Sequence, residues 1–134
     1  LIKEAAKTEP PSRIVITESY GGSVGGTLIN LFYLKKLKVP LVLTGKCYSA
    51  CTYFLNADLV CYTQDTVFGF HGASHKDTPD VPDKGVNSQT ILLYPIKLQE
   101  FLVQTKALET TKVLWILNAK GTAELDTSNR ICPN

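Results

Sequence analysis

Short apolar strands that run straight into glycine-bearing turns constrain this chain more than any other feature. Arg13 to Thr17 (RIVIT) is β-branched and ends just before Gly21-Gly22. Leu41 to Thr44 is uniformly apolar and is followed by Gly45, which is expected to break it. Thr66 to Phe70 runs into His71-Gly72. Strands without polar alternation are those buried on both faces, as in parallel sheets. Between the first two lies a segment from Ser23 or Gly25 to about Lys38, with Val24, Leu28, Leu31, Phe32 and Leu34 at helical spacing. Pro40 stops that helix. Strand–helix–strand alternation predicts an α/β domain with a mostly parallel sheet.

The rest of the chain fits one domain spanning residues 1–134. Leu1 to Lys7 reads as the tail of an amphipathic helix, so a preceding N-terminal strand is expected to be missing. Ser49 to Asn56 reads as a buried helix, and Leu59 to Thr63 as a further strand. Residues 74–87 are rich in Pro, Asp and Lys and read as an exposed polar loop insertion. Ser88 to Lys106 has helical spacing with Pro95 as start or kink. Val113 to Leu117 reads as a last strand or a buried helical turn, with Trp115 in the core.

Composition excludes several classes. Apolar residues at 44% and charged residues at 19% are globular values. A net charge of +2 without a dense basic cluster gives no nucleic-acid footprint, and Lys35, Lys36 and Lys38 read as a solvated helix edge. No apolar stretch is long enough for a membrane span. None near the start marks a signal peptide, which is absent or already removed, so cytoplasmic and exported locations both stay open. Cys47 and Cys51 lack zinc or redox-pair spacing and read as small buried side chains around a tight turn. Asp77, Asp80 and Asp83 are interrupted by Pro79 and Pro82, with no glutamate at a calcium-loop offset. No metal or organic cofactor is expected. His75 falls in the polar loop and reads as solvated.

The chemistry-bearing residues sit at the carboxyl ends of the strands, where open α/β sheets gather their sites. Gly21 and Gly22 let backbone N–H groups approach a ligand closely. Ser49 lies at the mouth of a helix, with the Ala50 N–H beside any oxyanion formed by attack there. His71 follows an apolar strand and is flanked by Gly72. A serine hydroxyl is a weak nucleophile until a base takes its proton, and imidazole does so near neutral pH.

These three motifs, in this order, resemble the Clp protease proteolytic subunit and its exported-type bacterial relatives in the Clp/crotonase superfamily. Ser19-Tyr20-Gly21-Gly22-Ser23-Val24 is similar to the family's SPGGSV loop, with Tyr20 where proline is usual. Cys47-Tyr48-Ser49-Ala50-Cys51 is similar to a C-x-S-A-C nucleophile motif, and Gly69-Phe70-His71 to the family's histidine context. The resemblance implies a Clp/crotonase-like spiral of mostly parallel strands with packed helices. It implies a serine hydrolase, a peptidase with Ser49 as nucleophile, His71 as base, and Gly21 or Gly22 with Ala50 as oxyanion hole. The third, acidic member has no clean match: Asp126 is the first candidate and Glu109 the alternative, with Asp65 and Asp77 weaker. The substrate would be a peptide or related acyl compound. Ring-like homo-oligomers are implied, with Pro95 to Val103 as apolar contact surface. Two other readings stand beside it: a crotonase-like acyl-CoA enzyme, and a non-catalytic Clp-like assembly subunit.

Overall fold

In the computed structural model, which describes residues 12–133, five strands form one sheet. The expected helix over Leu1 to Lys7 lies outside the described residues. Strands β1 (Ile14–Ser19), β2 (Leu41–Tyr48), β3 (Val60–Tyr62) and β4 (Val67–Phe70) are joined by parallel pairings, and β5 (Trp115–Asn118) pairs antiparallel with β4. The spatial order is β1-β2-β4-β5, with β3 branching from β2. Strand β2 serves two partners in succession. Its first half, Leu41 to Leu43, pairs with β3, and its second half, Lys46 to Tyr48, pairs with β4.

Gly45 does not end β2, as its sequence position suggests; the strand continues to Tyr48. Glycine at φ +70 absorbs an irregularity there, because the β1–β2 register shifts between Thr17 and Ser19. The Glu18 carboxylate meets the exposed bulge by accepting a hydrogen bond from the Lys46 N–H at 3.2 Å.

Helix α1 (Val24–Leu37) starts at Ser23, whose hydroxyl accepts from the Gly26 N–H at 3.1 Å, and stops at Lys38 in the left-handed conformation. It buries Leu31 and Leu34 but leaves Ile29 and Phe32 exposed. After β2 a 3-10 helix, Ser49–Asn56, buries every residue from Ala50 to Leu55. The polar insertion is more structured than its composition suggests. Asp83 caps a helix within it, α2 (Lys84–Thr90), and Asn87 is buried. Pro95 separates α2 and the short turn Ile91–Leu93 from α3 (Ile96–Thr105), which packs Leu98 and Leu102 inward. Helix α4 (Ala119–Asp126) follows β5 directly, capped by Asn118.

The core is aromatic where the sheet meets the helices. Tyr62 stands edge-on to Phe68, and Phe70 edge-on to Tyr94, with ring centroids 5.1 Å and 5.6 Å apart. Trp115 is not in this core. It is 41% exposed on the edge strand β5, against the expectation from its apolar neighbours.

The even number of cysteines permits disulfides, and the structure forms two. Buried as expected, Cys47 and Cys51 are joined to each other, and Cys61 is joined to Cys132. The second bridge ties the last residues to β3. There Tyr62 donates its N–H to the Arg130 carbonyl at 3.0 Å and accepts from the Cys132 N–H at 2.8 Å. Loop-closure entropy makes this bridge, with a sequence separation of 71, the stronger restraint on the unfolded chain. It is worth about 4 kcal/mol, against about 2 kcal/mol for the short one.

Three phenols are held neutral by the fold. Burial is the main cause at Tyr53, Tyr62 and Tyr94, pushing each above the ordinary value, and the Asp126 charge adds to it at Tyr62. A raised folded-state pKa contributes stability that is complete below the unfolded value, near 10, and is lost as pH climbs beyond it. A spectrophotometric titration should therefore show these three of the six tyrosines ionising only together with loss of the native circular dichroism.

Candidate active site

The parallel pairing of β1, β2 and β4 places three carboxyl ends side by side. Ser19 is level with Cys47, and Tyr48 with Gly69. The chain beyond each strand therefore emerges at one edge of the sheet: Gly21-Gly22 from β1, Ser49 from β2 and His71 from β4. Adjacent strands lie about 4.8 Å apart, so these turns are neighbours.

Ser49 sits between strand and helix with φ +56. For a residue with a side chain this conformation costs roughly 1–2 kcal/mol, and such strain concentrates at functional turns. Gly21 packs directly on it. A Cβ added at Gly21 would lie 2.7 Å from Ser49 Cβ and 3.2 Å from Ser49 Oγ, and φ +102 favours glycine independently. Gly22, at φ +144, faces open space. Ala50 is buried in the first turn of the 3-10 helix, where N–H groups have no acceptor within the helix.

Residues the sequence reading missed hold the serine from behind. The Thr52 hydroxyl donates to the Ser49 carbonyl at 2.6 Å and lies 2.5 Å from the buried Tyr94 hydroxyl. Tyr48 packs its ring over Gly69 and stands edge-on to the exposed Tyr20, which forms the rim of the site in place of the proline usual in the resembling motif. The only sequence signal for Thr52 was its position three residues after Ser49 in a helix. Tyr94 is a long-range contact with no local signature.

His71 is partly buried, and its turn is pinned. The Gly72 N–H donates to the Thr110 carbonyl at 2.7 Å. Asn87 bridges the Ala73 N–H and the Leu108 carbonyl at 2.8 Å and 3.0 Å. The His71 Nδ1 is buried with no hydrogen-bond partner among the described residues. Among the described residues no carboxylate hydrogen-bonds to this imidazole.

Asp126, the first candidate for that task, is engaged elsewhere. Its carboxylate accepts from Arg130 Nε at 2.6 Å and Nη2 at 3.1 Å, and from the Tyr62 hydroxyl at 3.4 Å. Arg130 donates a further bond to the Ala57 carbonyl. The carboxylate locks the C-terminal segment to the core. Glu109, the alternative, is exposed in the turn Ala107–Glu109, alongside the Leu108 carbonyl that packs on Gly72. Asp65 caps the Thr44–Thr63 hydroxyl pair, and His75 is solvent-exposed.

No family model and no curated protein matches the sequence. Solved structures do. A mutant of the membrane-bound stomatin-specific protease 1510-N, in complex with a substrate peptide, superposes with a TM-score of 0.62 at 13% identity, over 99% of this chain. The catalytic domain of the ClpP protease from Plasmodium falciparum superposes with a TM-score of 0.56 at 14% identity, over 91% of this chain and 70% of its own. The fold is Clp-protease-like. A third structure, described simply as an enzyme, shares this Clp-like fold with a TM-score of 0.61 at 10% identity, over 99% of this chain and 85% of its own. The chain spans 66% of the stomatin-specific protease, just under two thirds of its length. At these identities the Clp-like likeness is one of fold.

Within this Clp-like fold, replacing Asp126 by Asn should lower stability by about 3 kcal/mol in urea denaturation, because Arg130 loses its buried counter-charge. A loss below 1 kcal/mol would contradict the structural role given to the pair.

Proposed function

We propose that the chain is a serine hydrolase that cleaves peptide or related acyl bonds through a Ser49 acyl-enzyme. One observation carries the reading: Ser49 stands in a strained strand-to-helix turn at the parallel edge where Gly21 packs on it and the His71 turn emerges beside it. His71 takes the hydroxyl proton as Ser49 attacks and returns it to the leaving group. The N–H groups of Ala50 and of Gly21 or Gly22 hold the oxyanion of the tetrahedral intermediate. With Asp126 bonded to Arg130, the site works as a Ser–His dyad. The acid of a triad mainly orients the imidazole; here the backbone after His71 is pinned at Gly72 and Ala73 instead. Fold likeness to two proteases favours a peptide over another acyl substrate.

Self-association belongs to the same proposal. Leu92, Ile96 and Val103 are exposed on and beside α3 and form an apolar face suited to contact with a second copy. Among the described residues no helix is long and apolar enough to cross a membrane. Two disulfides suit an oxidising compartment. A second reading, a Clp-like assembly subunit without turnover, draws its support from the unpartnered His71 Nδ1.

A fluorophosphonate probe separates the two. Wild type should label on one serine, and both Ser49→Ala and His71→Ala should reduce the rate at least a hundredfold. Asp126→Asn should label within about twofold of wild type under conditions where it is folded. A folded wild type that does not label would contradict the hydrolase and leave the assembly subunit, whose size-exclusion profile would then carry the question.

A further inference from the structure

We infer that the Cys47–Cys51 disulfide is a positioning device for the nucleophile, holding Ser49 in its left-handed conformation against Gly21; this rests on the hydrolase reading above. The bridge spans a sequence separation of 4, and Ser49 is the middle residue of the five it encloses. Cys47 is fixed from both sides, level with Ser19 of β1 and Phe68 of β4. Cys51 lies in the first turn of the 3-10 helix, and both side chains are buried. The bridge therefore staples the last residues of a central strand to the start of the helix, with the nucleophile between the two anchors.

A closure this short restrains the unfolded chain less than the Cys61–Cys132 loop does, and it also acts directly on the native turn that it encloses. A serine has no intrinsic preference for φ +56, and a strained residue persists only where its surroundings over-determine it. Three restraints do so here. Gly21 leaves room in front, Thr52 ties the Ser49 carbonyl from behind, and the disulfide fixes the distance between the flanking residues. Without the bridge, Ser49 can relax towards the ordinary right-handed or extended basins, and its hydroxyl leaves the line between His71 and the backbone donors. Cys61–Cys132 provides an internal control, since it closes a far longer loop and joins β3 to the C-terminal segment.

The test compares Cys47→Ala/Cys51→Ala with Cys61→Ala/Cys132→Ala in the full chain, by fluorophosphonate labelling rate against pH and by urea denaturation. The first variant should label at least tenfold more slowly at every pH, with the shape of the profile unchanged. The second should lose more stability yet label within twofold of wild type while folded. Equal labelling by wild type and the first variant would overturn the inference and leave the hydrolase standing. Slowing of both variants in proportion to lost stability would overturn it as well. Absence of labelling in wild type would instead remove the hydrolase reading on which the inference rests. Should the first variant not fold, wild type partly reduced with a phosphine and alkylated is assayed by peptide mapping. Loss of labelling should follow opening of Cys47–Cys51, and loss that follows only Cys61–Cys132 would contradict the inference.

Discussion

Parallel pairing of β1 and β4 on either side of β2 is the constraint from which the rest of this molecule follows. A parallel neighbour cannot be reached by a tight turn, so crossovers must join β1 to β2 and carry the chain from β2 back to the partners on its other side. Helix α1 makes the first crossover. The 3-10 helix and β3 make the second, and β3 occupies the first half of β2 so that β4 is left the second half. The result is a set of carboxyl ends on one edge, where the chain must leave the sheet three times. The backbone turns sharply there in a crowded space, and Gly21, Gly22 and Ser49 all have positive φ.

That edge needs rigid support, and it comes from two directions. Beneath it, the aromatic layer of Tyr62, Phe68, Phe70 and Tyr94 fixes the strands. Tyr94 passes this rigidity to the Ser49 turn through Thr52. Across it, Asn87 joins the residues after His71 to the segment at Leu108, so the backbone that follows His71 is pinned. At the opposite end, Asp126 and Arg130 fasten α4 and the C-terminal segment, a task that occupies the carboxylate fully. Among the described residues the carboxylate's hydrogen bonds go to Arg130 and Tyr62.

What the sequence made legible was local. β-Branched runs announced β1, β2 and β4, helical spacing announced α1, and glycine after strand announced the turns. The long-range pairings were not legible. Nothing in Cys61 and Cys132 identifies them as partners, and Asp126 reads as a free acid until Arg130, four residues on, is brought back against it by the turn after α4. Trp115 misled because an apolar run on an edge strand looks the same in sequence as one in the core. Gly45 misled because a glycine that bends a strand and one that ends it leave the same mark. At the candidate site, the glycines and Ser49 carry a readable pattern, whereas Thr52, Tyr94 and Asn87 act through tertiary contacts that no spacing reveals.

The proposed hydrolase needs one sheet edge to present Ser49 to His71 and to backbone donors from two turns. A crystal structure of the protein after reaction with a fluorophosphonate tests it most directly. The account predicts phosphorus bonded to Ser49 Oγ, with one phosphonyl oxygen accepting from the Ala50 N–H and from Gly21 or Gly22, and the His71 imidazole on the opposite side. Phosphorus on another residue, or a Ser49 adduct whose oxygens point only to solvent, would contradict it.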